Sequence, residues 1–123
     1  MLRVWVVSAV ALAALWSEAS AGDAKGEWAR DDGKAKVRIG PCGAALCGSI
    51  TWLRDPKDAG KVGQQVFFGM KPHGDDVWTR TAFNPEDGRT YSGKMTLTGD
   101  RLVTAGCVLG GLICKSVSWT RAR

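Results

Sequence analysis

The chain has 123 residues, 17 Lys and Arg against 12 Asp and Glu, a net charge of +5 and 45% hydrophobic residues. That is room for one small domain, whose core alone gives marginal stability, so covalent staples are expected to help. Basic residues are scattered from Lys25 to Arg123 with acids between them, which excludes a dense cationic tract for nucleic acid and reads as a mixed, solvated surface.

The chain opens with Arg3, an apolar run from Val4 to Trp16 broken only by Ser8, and small residues at Ala19-Ser20-Ala21. This order predicts a secretory signal peptide over residues 1–21 and a mature domain over residues 22–123. The apolar run is shorter than the about 20 residues that a membrane span needs. The expected product is therefore periplasmic or secreted and does not span a membrane. No nucleic acid is expected as a partner.

Short segments separated by turn residues follow. "GEWAR" reads as a first strand and Asp31-Asp32-Gly33-Lys34 as a turn. "AKVRIG" alternates Val37 and Ile39 against Lys36 and Arg38, as a half-buried strand does. "LCGSITWLR" repeats the pattern, with Leu46, Ile50 and Trp52 expected on one face. Asp55 to Gly63 reads as loop. "QQVFFGMK" and "VWTRTAFN" are the fourth and fifth strands, the latter closed by the turn residues Pro85-Glu86-Asp87-Gly88. "RTYSGKMTLTG" sets Tyr91, Gly93, Met95 and Leu97 against Thr90, Ser92, Lys94 and Thr96. "RLVTAGCVL" and "ICKSVSWTRA" complete the set. All four prolines are expected between strands, where a missing donor does no harm.

Eight evenly spaced strands without a helical period predict an all-β fold, a small closed up-and-down antiparallel barrel that removes its own edges. Gly26-Glu27-Trp28 lies on the first strand and Arg121 on the last. Barrels of the lipocalin and fatty-acid-binding type place such an arginine across such a tryptophan, and this chain resembles them. The indole plugs one end while the guanidinium stacks on its face.

Four cysteines allow three pairings. In "CVLGGLIC" a two-residue turn at Gly110-Gly111 puts Cys107 opposite Cys114, about 4.5 to 5.5 Å apart at Cα and within disulfide range. "CGAALC" repeats the design around Cys42 and Cys47. The expected pairs are Cys42–Cys47 and Cys107–Cys114. A zinc site favours C-x(2–4)-C pairs, and the second spacing here is six. A reactive thiol needs a lowered pKa, and no histidine stands beside these cysteines. They read as staples.

The single histidine, His73, stands near Asp75 and Asp76 and invites a hydrolase or metal reading, but the surrounding glycine, proline and aspartates are turn chemistry. No catalytic residue, metal site or cofactor is assigned. Trp28, Trp52, Trp78, Tyr91 and Trp119 are the candidate ligand-contact or core aromatics. Strands this short and residues this large predict a mostly filled interior, with a pocket as the alternative.

"PCGAALCGSITWL", "GMKP", "NPEDGRTYSGKM" and "GCVLGGLICKSVSWTR" together resemble the bacterial domain of unknown function family 2147. The resemblance runs from about Trp28 to Arg121. It implies an exported, calycin-like small barrel and supplies no catalytic residue. The leading expectation is a non-enzymatic barrel that binds a small apolar ligand or a cell-envelope component. The alternatives are a surface module for a protein or an anionic polymer, with Arg38, Arg54, Arg80 and Lys94 as its first charges, and a hydrolase using His73.

Overall fold

The computed structural model describes residues 22–122, and the expected signal peptide lies outside the described residues. Eight strands follow in order: β1 (Gly26–Arg30), β2 (Ala35–Cys42), β3 (Ala45–Leu53), β4 (Gln65–Pro72), β5 (Val77–Asn84), β6 (Arg89–Thr98), β7 (Arg101–Val108) and β8 (Ile113–Arg121). Each pairs antiparallel with its neighbours in sequence, and β1 pairs with β8 to close a barrel. The four connections that follow odd-numbered strands gather at one end, and the chain termini share the other with the remaining three.

Alternation drives the layering. In β2, Ala35, Val37 and Ile39 are buried, while Arg38 between them is exposed. In β6, Gly93, Met95 and Leu97 turn inward against exposed Ser92 and Lys94. The largest fully buried side chains among the described residues are Trp28, Ile39, Met70, Met95, Leu102 and Val37. Removing each from water contributes about 1.5 to 3 kcal/mol.

One strand departs from the expected alternation. Val37 faces Ile50 and Lys36 faces Trp52, so Thr51 is an extra residue in β3. This β-bulge shifts the phase of everything beyond it. Ile50 stays in the core at 6% exposure, whereas Trp52 turns to the outer face at 43%. There its ring lies under the Lys36 ammonium, 5.6 Å from the ring centroid.

Two prolines also depart from expectation, since Pro41 lies within β2 and Pro72 ends β4. Both stand at or next to the last residue of their strand, where a lost donor interrupts little of the ladder.

Both expected disulfides are formed, Cys42 to Cys47 and Cys107 to Cys114. The β7–β8 register places Cys107 opposite Cys114 and Val108 opposite Ile113. Between them Gly110 and Gly111 have φ of 67° and 94°, and the Leu112 N–H donates to the Leu109 carbonyl at 3.2 Å. Leu109 before them is also left-handed, at φ 53°. The connection is therefore longer than the two residues expected and runs from Leu109 to Leu112, with the glycine pair taking its two central positive φ values without strain.

Candidate functional site

The barrel is plugged at one end and hollow at the other. At the plugged end the Arg121 guanidinium carbon sits 4.3 Å from the centroid of the Trp28 ring. The Trp28 indole N–H donates to the Ala24 carbonyl at 2.9 Å, so the buried ring leaves no polar atom unpaired. Arg121 adds hydrogen bonds from Nη1 to the Lys25 carbonyl and from Nη2 to the Asp23 carbonyl, at 3.0 and 2.8 Å. The segment before β1 is thereby strapped across the barrel mouth.

Toward the opposite end the interior opens into a cavity of about 300 Å³. The expectation of a mostly filled interior therefore holds for one half only. Large residues fill the Trp28 half, whereas Ala82, Thr104 and Gly106 leave space in the other. Apolar wall comes from Val37, Ile50, Val66, Phe67, Val117 and Trp119. The Trp119 indole N–H donates to Thr104 Oγ1 at 2.9 Å. With that donor satisfied, the indole offers the cavity apolar surface.

The expected aromatics divide. Tyr91 and Trp119 line the cavity. Trp28 is buried at the plugged end, off the cavity wall. Trp78 is half-buried at that same end, in a shallow depression with Leu46, Met70 and Pro72. Trp52 is on the outside because of the β3 bulge.

The Tyr91 hydroxyl donates to the Asp87 carboxylate in the β5–β6 turn. That bond holds the Asp87 carboxyl below its ordinary 3.8 and Tyr91 above its ordinary 10.0, burial adding to the rise for tyrosine. Its hydroxyl is thus fixed at the rim.

Charge collects at the open end. Arg30, Lys34 and Lys115 line the mouth, together with Asp58 and Glu86. Sequence reading missed these residues, although one signal was available. Lys115 shares strand parity with Val117 and Trp119, so it projects from the inward face of β8, where a lysine marks a rim. Thr104 was equally legible, between Leu102 and Gly106 on the inward face of β7.

His73 is exposed in the β4–β5 turn, at the plugged end, and its backbone N–H donates to the Val77 carbonyl at 2.8 Å. Neither it nor Asp75 or Asp76 reaches the cavity. Among the described residues no group of three or more His, Cys, Asp or Glu is placed to hold a metal ion. No described helix is long and apolar enough to cross a membrane. Arg80 and Lys94 are exposed on adjacent strands, β5 and β6, but Arg38 is on β2 and Arg54 just beyond β3, so the four charges do not form one patch.

A closed eight-stranded antiparallel barrel with one plugged end and one internal cavity is a calycin-type architecture. The chain belongs to the family described as "Uncharacterized protein conserved in bacteria (DUF2147)", which matches residues 26–121. A solved structure described as "Protein HP1028 from the human pathogen Helicobacter pylori belongs to the lipocalin family" is similar at a TM-score of 0.65 and 16% identity, over 82% of this chain and 84% of that one. At that identity the likeness establishes the fold. No curated protein matches the chain.

Proposed function

We propose that this protein is an exported, non-enzymatic barrel that binds a small, largely apolar ligand in the cavity beside Tyr91 and Trp119. The observation that carries the reading is the division of the interior, one half packed solid and the other walled by apolar side chains. Its volume of about 300 Å³ stands at the lower limit of ordinary ligand sites. Two disulfides fit an oxidising compartment such as the periplasm.

Native mass spectrometry of protein exported under its own leader tests this directly. The expected result is a chain cleaved after Ala21, carrying extra mass that is lost on denaturation. The neutral dye N-phenyl-1-naphthylamine should also brighten on binding and be displaced by the released ligand. A bare chain that leaves the dye dark would remove the reading.

A second reading has one observation of its own. The β7–β8 tip exposes Leu109, Leu112 and Ile113 at 68%, 85% and 57%. A braced apolar tip of this kind suits contact with a protein or an envelope component. Leu109→Ser with Leu112→Ser should abolish such contact and leave dye binding intact.

A further inference from the structure

The barrel closes unevenly. The β1–β8 ladder holds Trp28 opposite Arg121, Ala29 opposite Thr120 and Arg30 opposite Trp119. One more backbone bond follows, from the Asp31 N–H to the Ser118 carbonyl at 3.0 Å. There the chain turns into β2, whereas β8 extends back to Ile113. Residues Ile113–Val117 therefore have β7 on one side and no strand on the other. The cavity lining reaches both lips of this slit, Arg30 and Lys34 on one, Lys115, Ser116 and Val117 on the other.

The slit has consistent chemistry. Arg30 Nε is buried and makes no hydrogen bond among the described residues, since the Asp32 carboxylate at 3.0 Å lies off its N–H direction. Lys115 and Lys34 enter no ion pair among the described residues. Backbone parity adds a donor. The Ser118 carbonyl and the Ala122 N–H both bond to the β1 side, while the Arg121 N–H bonds to Asp100 before β7. Even-numbered residues of β8 thus aim both backbone groups toward β1, and the Ser116 N–H and carbonyl point into the slit past the end of the ladder, the N–H as its backbone donor. Asp58 and Glu86 reach the cavity from the β3–β4 loop and the β5–β6 turn, neither of which borders the slit.

We propose that this slit seats the carboxylate head of a single-chain amphiphile whose apolar tail fills the cavity. The proposal rests on the ligand-binding reading above and specifies its ligand. A guanidinium, two ammoniums and a backbone N–H converge on one opening, and an anionic head is met by these donors, whereas a neutral head leaves them facing water. Asp32 offsets one of the three cations, so the lips keep a positive balance. The tail enters sideways between β1 and β8.

Isothermal calorimetry on the mature, oxidised protein with decanoate and decanol tests it, because the two probes share a tail and differ in the charge of the head. Both should bind, decanoate at least about tenfold tighter, the minimum that one charge-assisted hydrogen bond supplies. The decanoate-to-decanol ratio should fall toward one in Lys115→Gln and again in Arg30→Gln. Lys115 is exposed, so its replacement spares the core. Equal affinities for the two probes would overturn the slit proposal and leave the ligand-binding reading standing. Binding of neither would overturn both. A ratio that persists in both variants would place the anion elsewhere and also overturn it.

Discussion

Arg121 of the last strand lies over Trp28 of the first, guanidinium carbon to ring centroid 4.3 Å, and ties two backbone carbonyls ahead of β1. Stacking and forked hydrogen bonding at once is a property of the planar guanidinium that lysine lacks. Arg121→Lys should therefore lower stability by about 1 to 3 kcal/mol, combining the cation–π contact with one lost charge-assisted bond. Urea unfolding followed by tryptophan fluorescence measures it. A change below about 0.5 kcal/mol, the range of an ordinary surface substitution, would mean the strap is not a closure device.

The two disulfides span sequence separations of 5 and 7. On the chain-entropy account, closing loops this small contributes about 2 to 2.5 kcal/mol each. Cys107→Ser with Cys114→Ser should cost that much, and Cys42→Ser with Cys47→Ser a little less. The pairs stand at opposite ends of the barrel, so the two losses should add. Strong non-additivity in the four-fold variant would show that the hairpins unfold as one unit.

Much of this fold was legible because its signals are local. β5 begins and ends where the turn residues around it require, and the Cys107–Cys114 register follows from two adjacent glycines. The arrangement of the site was less legible because it depends on registers between strands. One extra residue at Thr51 moves Trp52 from core to surface, and nothing within "SITWL" announces it. The cavity depends on small residues from different strands, Ala82 and Gly106 among them, standing around the same space. The slit depends on a length mismatch between β1 and β8 that neither strand carries alone.

Val117 is half-buried on the cavity wall, packed on one side against the core and open to the cavity on the other. Val117→Trp should fill that space. Binding of N-phenyl-1-naphthylamine should fall by at least about tenfold, which corresponds to about 1.4 kcal/mol. The thermal midpoint should hold or rise, as cavity filling often stabilises a fold. Unchanged dye affinity would place the dye site outside the barrel.

Gly93 is buried in the middle of β6, where a Cβ would meet Ala82 N and Thr81 C at 2.9 Å each. These are backbone atoms of the adjacent strand and cannot swing aside. Gly93→Ala should destabilise by about 1 to 3 kcal/mol, as overpacking does. At about 4 to 8 °C per kcal/mol for a domain of this size, calorimetry resolves the drop. Gly40→Ala is the control, because nothing lies within 4 Å of its Cβ position. Equal midpoints for the two variants would refute the close approach of β5 and β6.

The chain holds a single tyrosine, so its titration is unambiguous. The bond to Asp87 raises the Tyr91 pKa above its ordinary 10.0 and lowers that of Asp87 below 3.8. For Asp87, whose folded value is depressed, the contribution is present above 3.8 and is lost as pH falls through the folded value. For Tyr91, whose folded value is raised, it is present below 10.0 and is lost as pH rises through the folded value. The bond is therefore intact across the neutral range and breaks at both extremes. Phenolate absorbance during an alkaline titration of the folded protein should show a midpoint above 10.0, returning toward it in Asp87→Asn. An identical midpoint in the two proteins would mean that Asp87 does not hold Tyr91 at the cavity rim. Dye affinity measured across the same range should then follow the tyrosine midpoint in the wild type, because the ring that lines the cavity is fixed through its hydroxyl.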